Sequence, residues 1–192
     1  MSASPSTALP ERFPGVWFIA NLGLFQAVWW TQILQGVARP ALAIAACAAF
    51  IAVHLLLSHK RRADLLLLIA LLLLGPWLDV LIARLDLLDY RGAAPFAVAP
   101  PYWIFGLWMA FSLTLNHSMH GLLQRPWLAI LLGAVGGPAA YYTGVKFGAA
   151  ALPAPGGSAL LALALIWALA FGALSLAIKR WTPLHTTAEQ SP

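Results

Sequence analysis

The chain has 192 residues, 61% hydrophobic and only 9% charged, with a formal charge of +5 and a mean hydropathy of +0.82. A water-soluble domain carries about 25% charged residues, so this composition excludes one, and no polar run is long enough to build a second, soluble domain. The positive charge sits at the ends of apolar stretches rather than in a basic stripe with interleaved aromatics. That points to anionic headgroups and away from nucleic acid, and the single cysteine, Cys47, rules out an intrachain disulfide.

Residues 1–15 include Glu11 and Arg12 and lack the basic start, short apolar core and small-residue cleavage site of a signal peptide. A retained, cytoplasmic N-terminal segment is therefore expected. A crossing helix needs about 20 apolar residues. On that test 16–178 form an all-α transmembrane bundle of six spans: about 16–34, 38–58, 63–85, 102–123, 127–152 and 158–178. A cytoplasmic tail, 179–192, closes the chain. Turn chemistry separates the spans, at Gly36 and Pro40, at the basic run from His59 to Arg62, at the proline-rich 91–101, around Pro126, and at 153–157. No internal repeat is visible.

Lysine and arginine set the orientation. Arg12, Lys60, Arg61, Arg62, Arg125, Lys179 and Arg180 gather on one side, against Arg39, Arg84, Arg91 and Lys146 on the other. The first side is expected to be cytoplasmic, with both termini there, which makes a multi-pass protein of the cell inner membrane. Trp17, Trp29, Trp30, Trp103, Trp127 and Trp181 lie near span ends, where an interfacial aromatic belt would place them.

Position converts to depth at roughly 1.5 Å per residue. Asn116 lies nine positions before Arg125, Asn21 nine after Arg12, and His54 six before Lys60. Three spans thus bring costly polar groups to one cytoplasm-proximal layer. Ser112, Asn116 and His120, spaced i, i+4, i+8, share a helix face in that layer, while His117 points to its side. A second layer toward the other surface holds Asp79, Tyr141, Tyr142 and Lys146, with Gln26 between the two layers. An aspartate and a lysine at one depth suggest a structural ion pair, Asp79 with Lys146. The third and fifth spans are interrupted at Gly75-Pro76 and at Gly136-Gly-Pro138, as where helices line a cavity or pack within protein. Gly133/Gly137 and Gly144/Gly148 have the spacing that permits close helix approach.

Most of these polar groups are expected to bond neighbouring helices or reach the interface. Imidazole suits zinc or iron, so His54, His117 and His120 are conceivable ligands. No carboxylate is expected at their depth, however, and Glu-x-x-His pairs are absent, so no metal is assigned. Ser118 lacks the Gly-x-Ser-x-Gly context of a serine nucleophile. General acid/base chemistry by His117 or His120 remains open, as does a proton or ion relay of Asp79, Lys146 and Tyr142.

At 107–118, Leu-Trp-Met-Ala-Phe-Ser-Leu-Thr-Leu-Asn-His-Ser, and at 133–149, with its Gly-Gly-Pro-Ala-Ala-Tyr-Tyr, the chain resembles a bacterial membrane family catalogued as domain of unknown function two-eight-seven-eight. The likeness runs from about Asn21 to Trp167. Asn21, Trp29, Asp79, Trp108, Asn116, His117, Pro138 and Tyr141 fall where that family has its distinctive residues. His120 and Lys146 depart, the family having an arginine at or near each. The resemblance brings no established activity; such proteins are often encoded beside enzymes that modify fatty acids. Three readings follow. One is an enzyme or accessory subunit in fatty-acyl modification, with Asn116, His117 and His120 catalytic. Asn21, Gln26, His54, Trp108, Pro138, Tyr141 and Tyr142 would then bind substrate. The others are a small transporter using the broken spans and a structural or assembly protein. Membrane lipids and a membrane-protein partner are the expected contacts, and no cofactor is specified.

Overall fold

The computed structural model of the chain describes residues 13–153 and 156–186, with side chains as far as residue 180. The expected segment containing Glu11 and Arg12, the end of the expected tail and the Trp181 side chain lie outside the described residues. Seven helices appear among the described residues: α1 Pro14–Gln35, α2 Pro40–Leu57, α3 Arg61–Arg84, α4 Tyr102–Ser112, α5 His120–Leu123, α6 Pro126–Lys146 and α7 Gly156–Thr186. Two short strands, β1 Asp89–Tyr90 and β2 Ala150–Ala151, pair antiparallel with Asp89 opposite Ala151. They tie the α3–α4 connection to the α6–α7 connection at one end of the bundle.

The starts of α1, α2 and α6 each carry a proline in the first turn, where its missing N–H costs nothing and its fixed φ suits the helix. α2, α3, α6 and α7 are long and apolar enough to cross a membrane. The α4 helix is only 11 residues, and it forms the centre, packed on α1, α2 and α3. α6 and α7 pack on each other as a close hairpin. Gly133 and Gly137 make that approach possible: a Cβ on either would stand 2.2 Å from the Trp167 carbonyl oxygen or 2.4 Å from its ring. The second small-residue pair does no such packing. Gly144 faces Ile33 at ordinary contact distance, and Gly148 lies past the helix end at φ +80 with open space around it. Gly75, next to Pro76 in α3, seats Trp108 of α4 against the backbone.

The exterior is apolar, with Ile19, Leu74 and Leu161 each at least 70% exposed, while Asn21, Gln32, His54, Asp64, Asp79 and Ser112 are buried. That inversion is what a lipid solvent demands. Of the tryptophans expected in an aromatic belt, Trp30 and Trp127 are exposed, whereas Trp17 and Trp103 are buried. Trp17 is buried against two histidines, and Trp103 is buried with its indole N–H on the Arg91 carbonyl.

The stretch expected as one fourth span is broken. Between α4 and α5, residues 113–119 turn through bonds such as Thr114 N–H to the Phe111 carbonyl and His117 N–H to the Thr114 carbonyl. No proline or glycine lies in it. Side-chain hydroxyls compete with the backbone here: Ser112 and Thr114 donate to the carbonyls three residues earlier, both at 2.7 Å. Asn21 of α1 satisfies two other backbone groups of the break. Its Nδ2 donates to the Leu113 carbonyl at 3.1 Å, and its Oδ1 accepts from the Ser118 N–H and hydroxyl. Irregular backbone inside a membrane persists when protein groups satisfy it in this way.

Candidate functional site

Two buried carboxylates organise the polar interior. Asp64 lies in the first turn of α3, where the helix N-terminus favours negative charge. Its Oδ2 accepts from His54 Nε2 at 3.1 Å, His117 Nε2 at 3.0 Å and the Ser58 hydroxyl. Its Oδ1 accepts from Asn116 Nδ2 at 3.0 Å. The His54 and His117 rings pack edge to face with centroids 4.7 Å apart.

The outer nitrogens of the two rings assign their tautomers. Trp17 Nε1 donates to His117 Nδ1 at 2.9 Å, and an indole N–H can only donate. His117 Nδ1 is therefore an acceptor and the ring proton sits on Nε2, toward Asp64. Asn21 Nδ2 stands 3.2 Å from His54 Nδ1. The Asn21 amide cannot be turned over, because Leu113 offers it a carbonyl and Ser118 an N–H. His54 thus has the same tautomer, and every member of the cluster is satisfied.

His54, Asp64 and His117 present ligand atoms within 4.8 Å of one another, a two-histidine, one-carboxylate set like that of non-haem iron sites. The expectation that no carboxylate shares the histidines' depth is thereby corrected. What disfavours a metal is the surrounding shell. A histidine ligating through Nε2 carries its proton on Nδ1 and gives it to an acceptor, whereas Trp17 and Asn21 present donors there. As arranged, the three residues do not fit a metal.

His120 lies apart in α5, its Nε2 3.4 Å from Gln124 and its Nδ1 buried without a partner. The expected shared face of Ser112, Asn116 and His120 does not exist, because the helix breaks between them. His117, expected to point aside, is brought to Asp64 together with Asn116. Asn21 and His117 belong to one cluster, joined through His54.

Asp79, on α3, is the second centre. Its Oδ1 accepts from the Tyr90 and Tyr141 hydroxyls, each at 2.7 Å, and its Oδ2 from Trp108 Nε1 at 2.7 Å. Burial, and then the neighbouring carboxylate, raise the Tyr90 phenol well above the ordinary tyrosine range, so it stays a donor. The expected ion pair with Lys146 is not formed. Lys146 is exposed, its Nζ 5.2 Å from the centre of the Tyr142 ring, because the last turn of α6 turns both residues outward while Asp79 faces in.

Asp79 stands in the wall of two cavities. One, of about 520 Å³, is lined mainly by apolar side chains of α1, α4, α6 and α7, with Gln26, Trp108 and Tyr141 among them. Exposed Leu22, Gln26 and Trp30 form its α1 edge and Gly136, Ala139 and Ala140 its α6 edge. It is therefore a groove opening sideways between the two helices. At one end these helices meet, where Trp30 and Phe147 pack edge to face at 5.5 Å. The other cavity, of about 430 Å³, has a mixed lining, with Arg84, Asp86, Asp89 and Tyr90 beside apolar residues of the loop to Pro101. None of Asn21, His54, Asp64, Asn116 and His117 lines either cavity. Pro138 and Tyr142 line neither, although Gly136 and Gly137 beside Pro138 do.

The sequence pattern does not single out Asp64, which reads as part of the basic interfacial run. The depth arithmetic that places His54 six residues before Lys60 puts Asp64, four after it, at the same end. Gln32, whose Nε2 donates to the Ala43 carbonyl at 2.8 Å beside Gly106, was also passed over.

An all-α body with an apolar exterior and paired, buried polar groups defines an integral membrane protein. The chain belongs to the family described as protein of unknown function (DUF2878), which matches residues 18–173. No curated protein and no solved structure matches it.

Proposed function

We propose that this is a bacterial inner-membrane protein, crossing six times with both termini cytoplasmic, that binds the apolar chain of a membrane lipid and serves its modification. It acts as the enzyme, or as the subunit that holds the chain for a membrane-bound partner. One observation carries this: a groove of about 520 Å³ opens to the side of the bundle and has a buried carboxylate in its wall. Small-molecule sites are concave, mostly apolar and about 300–1,000 Å³, with a few placed polar groups. A side-facing mouth admits a chain directly from the bilayer.

Asn116 and His117 then serve the scaffold rather than the chemistry, since Asp64 and its four donors leave no group spare and face neither cavity. Transport would need a polar route between the Asp64 and Asp79 centres. The groove wall beyond Trp108 instead includes Phe25, Phe111 and Met119, all apolar.

The test is genetic and chemical. Deleting the gene should change the fatty-acyl composition of the membrane, and wild type but not Gly136→Leu should restore it. Gly136 lines the groove, and a Cβ there meets only the Leu132 side chain, at 3.6 Å or more, so a larger side chain starts from the groove edge without a backbone clash. An unchanged acyl profile on deletion overturns the proposal.

A further inference from the structure

Asp79 differs from Asp64 in having no counter-charge. The ion pairs among the described residues are those of Asp64 with His54 and His117. Every group bonded to Asp79 is neutral: the hydroxyls of Tyr90 and Tyr141, the Trp108 indole N–H and its own backbone N–H. Trp108 can only donate and Tyr90 stays a donor, so these bonds fit a carboxylate that accepts on both oxygens. Arg84 lines the second cavity with Asp79 yet makes no ion pair with it, and Lys146 is exposed on the outer face of α6. A carboxylate buried in a membrane protein without a counter-charge is costly, and such groups pair or mark the path of a ligand. Its hydrogen bonding is already complete, because a carboxylate has about four acceptor positions and the two phenols, the indole and the backbone N–H occupy them. What Asp79 lacks is positive charge, not a hydrogen bond.

The groove beside it is walled by aromatic rings. Trp108, Phe111, Phe171 and Trp167 form a closed circuit of ring contacts with centroids 5.6–6.1 Å apart. Tyr141 adds a fifth ring 6.0 Å from Trp167, and all five line the groove with Asp79. Ring faces attract cations, indole most strongly, and the attraction grows where water is excluded. The Trp108 N–H is bonded to Asp79 at 2.7 Å, which polarises that indole and enriches its face in electron density. Resting on the lipid-groove reading, we infer that the occupant carries a quaternary ammonium head, held by these rings and neutralising Asp79. A methylated ammonium suits the site because it brings charge and no N–H. A primary ammonium needs acceptors that are already taken, and a fatty-acid anion sets negative charge against the carboxylate. Two sources carry this head: a cationic single-chain amphiphile and a lipid with a phosphocholine head.

Five of the nine tryptophans, Trp29, Trp30, Trp103, Trp108 and Trp167, line the groove, so bromine-tailed chains should report binding by quenching their fluorescence. The full-length protein is placed in nanodiscs of an uncharged glycolipid, which offers no ammonium to compete. It is titrated with ω-bromododecyl chains headed by trimethylammonium, by its neutral tert-butyl isostere, by ionised carboxylate or by phosphocholine, and affinities are referred to probe concentration in the bilayer. The trimethylammonium probe should quench saturably and bind about tenfold tighter than its isostere, the ratio that one desolvated cation–ring contact gives, with the carboxylate weakest. Asp79→Asn should remove most of that preference and leave the isostere's affinity unchanged; a preference unchanged in the folded variant overturns the role of Asp79. Comparing the isosteres on wild type needs no variant, so it decides the matter if Asp79→Asn fails to fold. With the preference present, phosphocholine binding as tightly as trimethylammonium supports the lipid head as its source, and weaker binding supports the single-chain cation. Equal binding of trimethylammonium and its isostere, with quenching still lost in Gly136→Leu, overturns the ammonium head and spares the groove. Quenching that no probe saturates, or that Gly136→Leu leaves intact, overturns both.

Discussion

Asp64 carries the greatest demand of any single residue, because one carboxylate terminates hydrogen bonds from His54, Ser58, Asn116 and His117. Replacing it by leucine strands four buried donors and should lower the unfolding free energy by about 3–5 kcal/mol, the cost of breaking a buried charged network. Asparagine, which keeps one acceptor, should cost less. Urea or thermal unfolding in detergent measures both, and a leucine variant as stable as wild type would show that the cluster does not hold the fold. The tautomers make a second claim at this scale. With Trp17 and Asn21 donating to the outer ring nitrogens, added cobalt(II) should find no free Nε2 lone pair. Its visible absorption should stay that of the solvated ion, and appearance of tetrahedral bands would refute the assignment.

Among the elements, the decisive one is the stretch that the apolar pattern presents as a single helix and that folds as α4, a turn and α5. Length and hydropathy cannot report this break, since Leu113 to Met119 holds no proline or glycine. It depends on hydroxyls at Ser112 and Thr114 and on an amide arriving from α1. Asn21→Ala should therefore cost more than a surface asparagine does. It leaves the Leu113 carbonyl and the Ser118 N–H unpaired in a dry interior, about 1–3 kcal/mol for each group, and hydrogen exchange at 113–119 should quicken. The α6–α7 hairpin offers a paired control. Gly133→Ala forces a Cβ against the Trp167 carbonyl and should melt early, whereas Gly136→Ala, with only Leu132 nearby, should be neutral or slightly stabilising. Equal melting of the two would remove the close approach as the reason for glycine at 133.

For the whole molecule, the depth arithmetic correctly sends Asn21, His54 and Asn116 to one centre and Asp79 with Tyr141 to another, but it also sends His120 to the first, where His117 stands instead. It fails for Lys146 and Tyr142, which share Asp79's depth but lie on the outer face of α6. Depth follows from residue count along a helix; direction depends on how each helix is rotated against its neighbours. The sequence by itself determined that lipid is the solvent, that the body is helical, and that buried polar groups must meet in layers, because each of these follows from composition and rise per residue. Only the tertiary structure decided that Asp64 is the hub of one layer, that Tyr90, Trp108 and Tyr141 rather than Lys146 hold Asp79, and that α1 and α6 part to leave a groove beside it. Those outcomes depend on helix rotation and on which side chains fill the space between helices, and neither is written in any one segment.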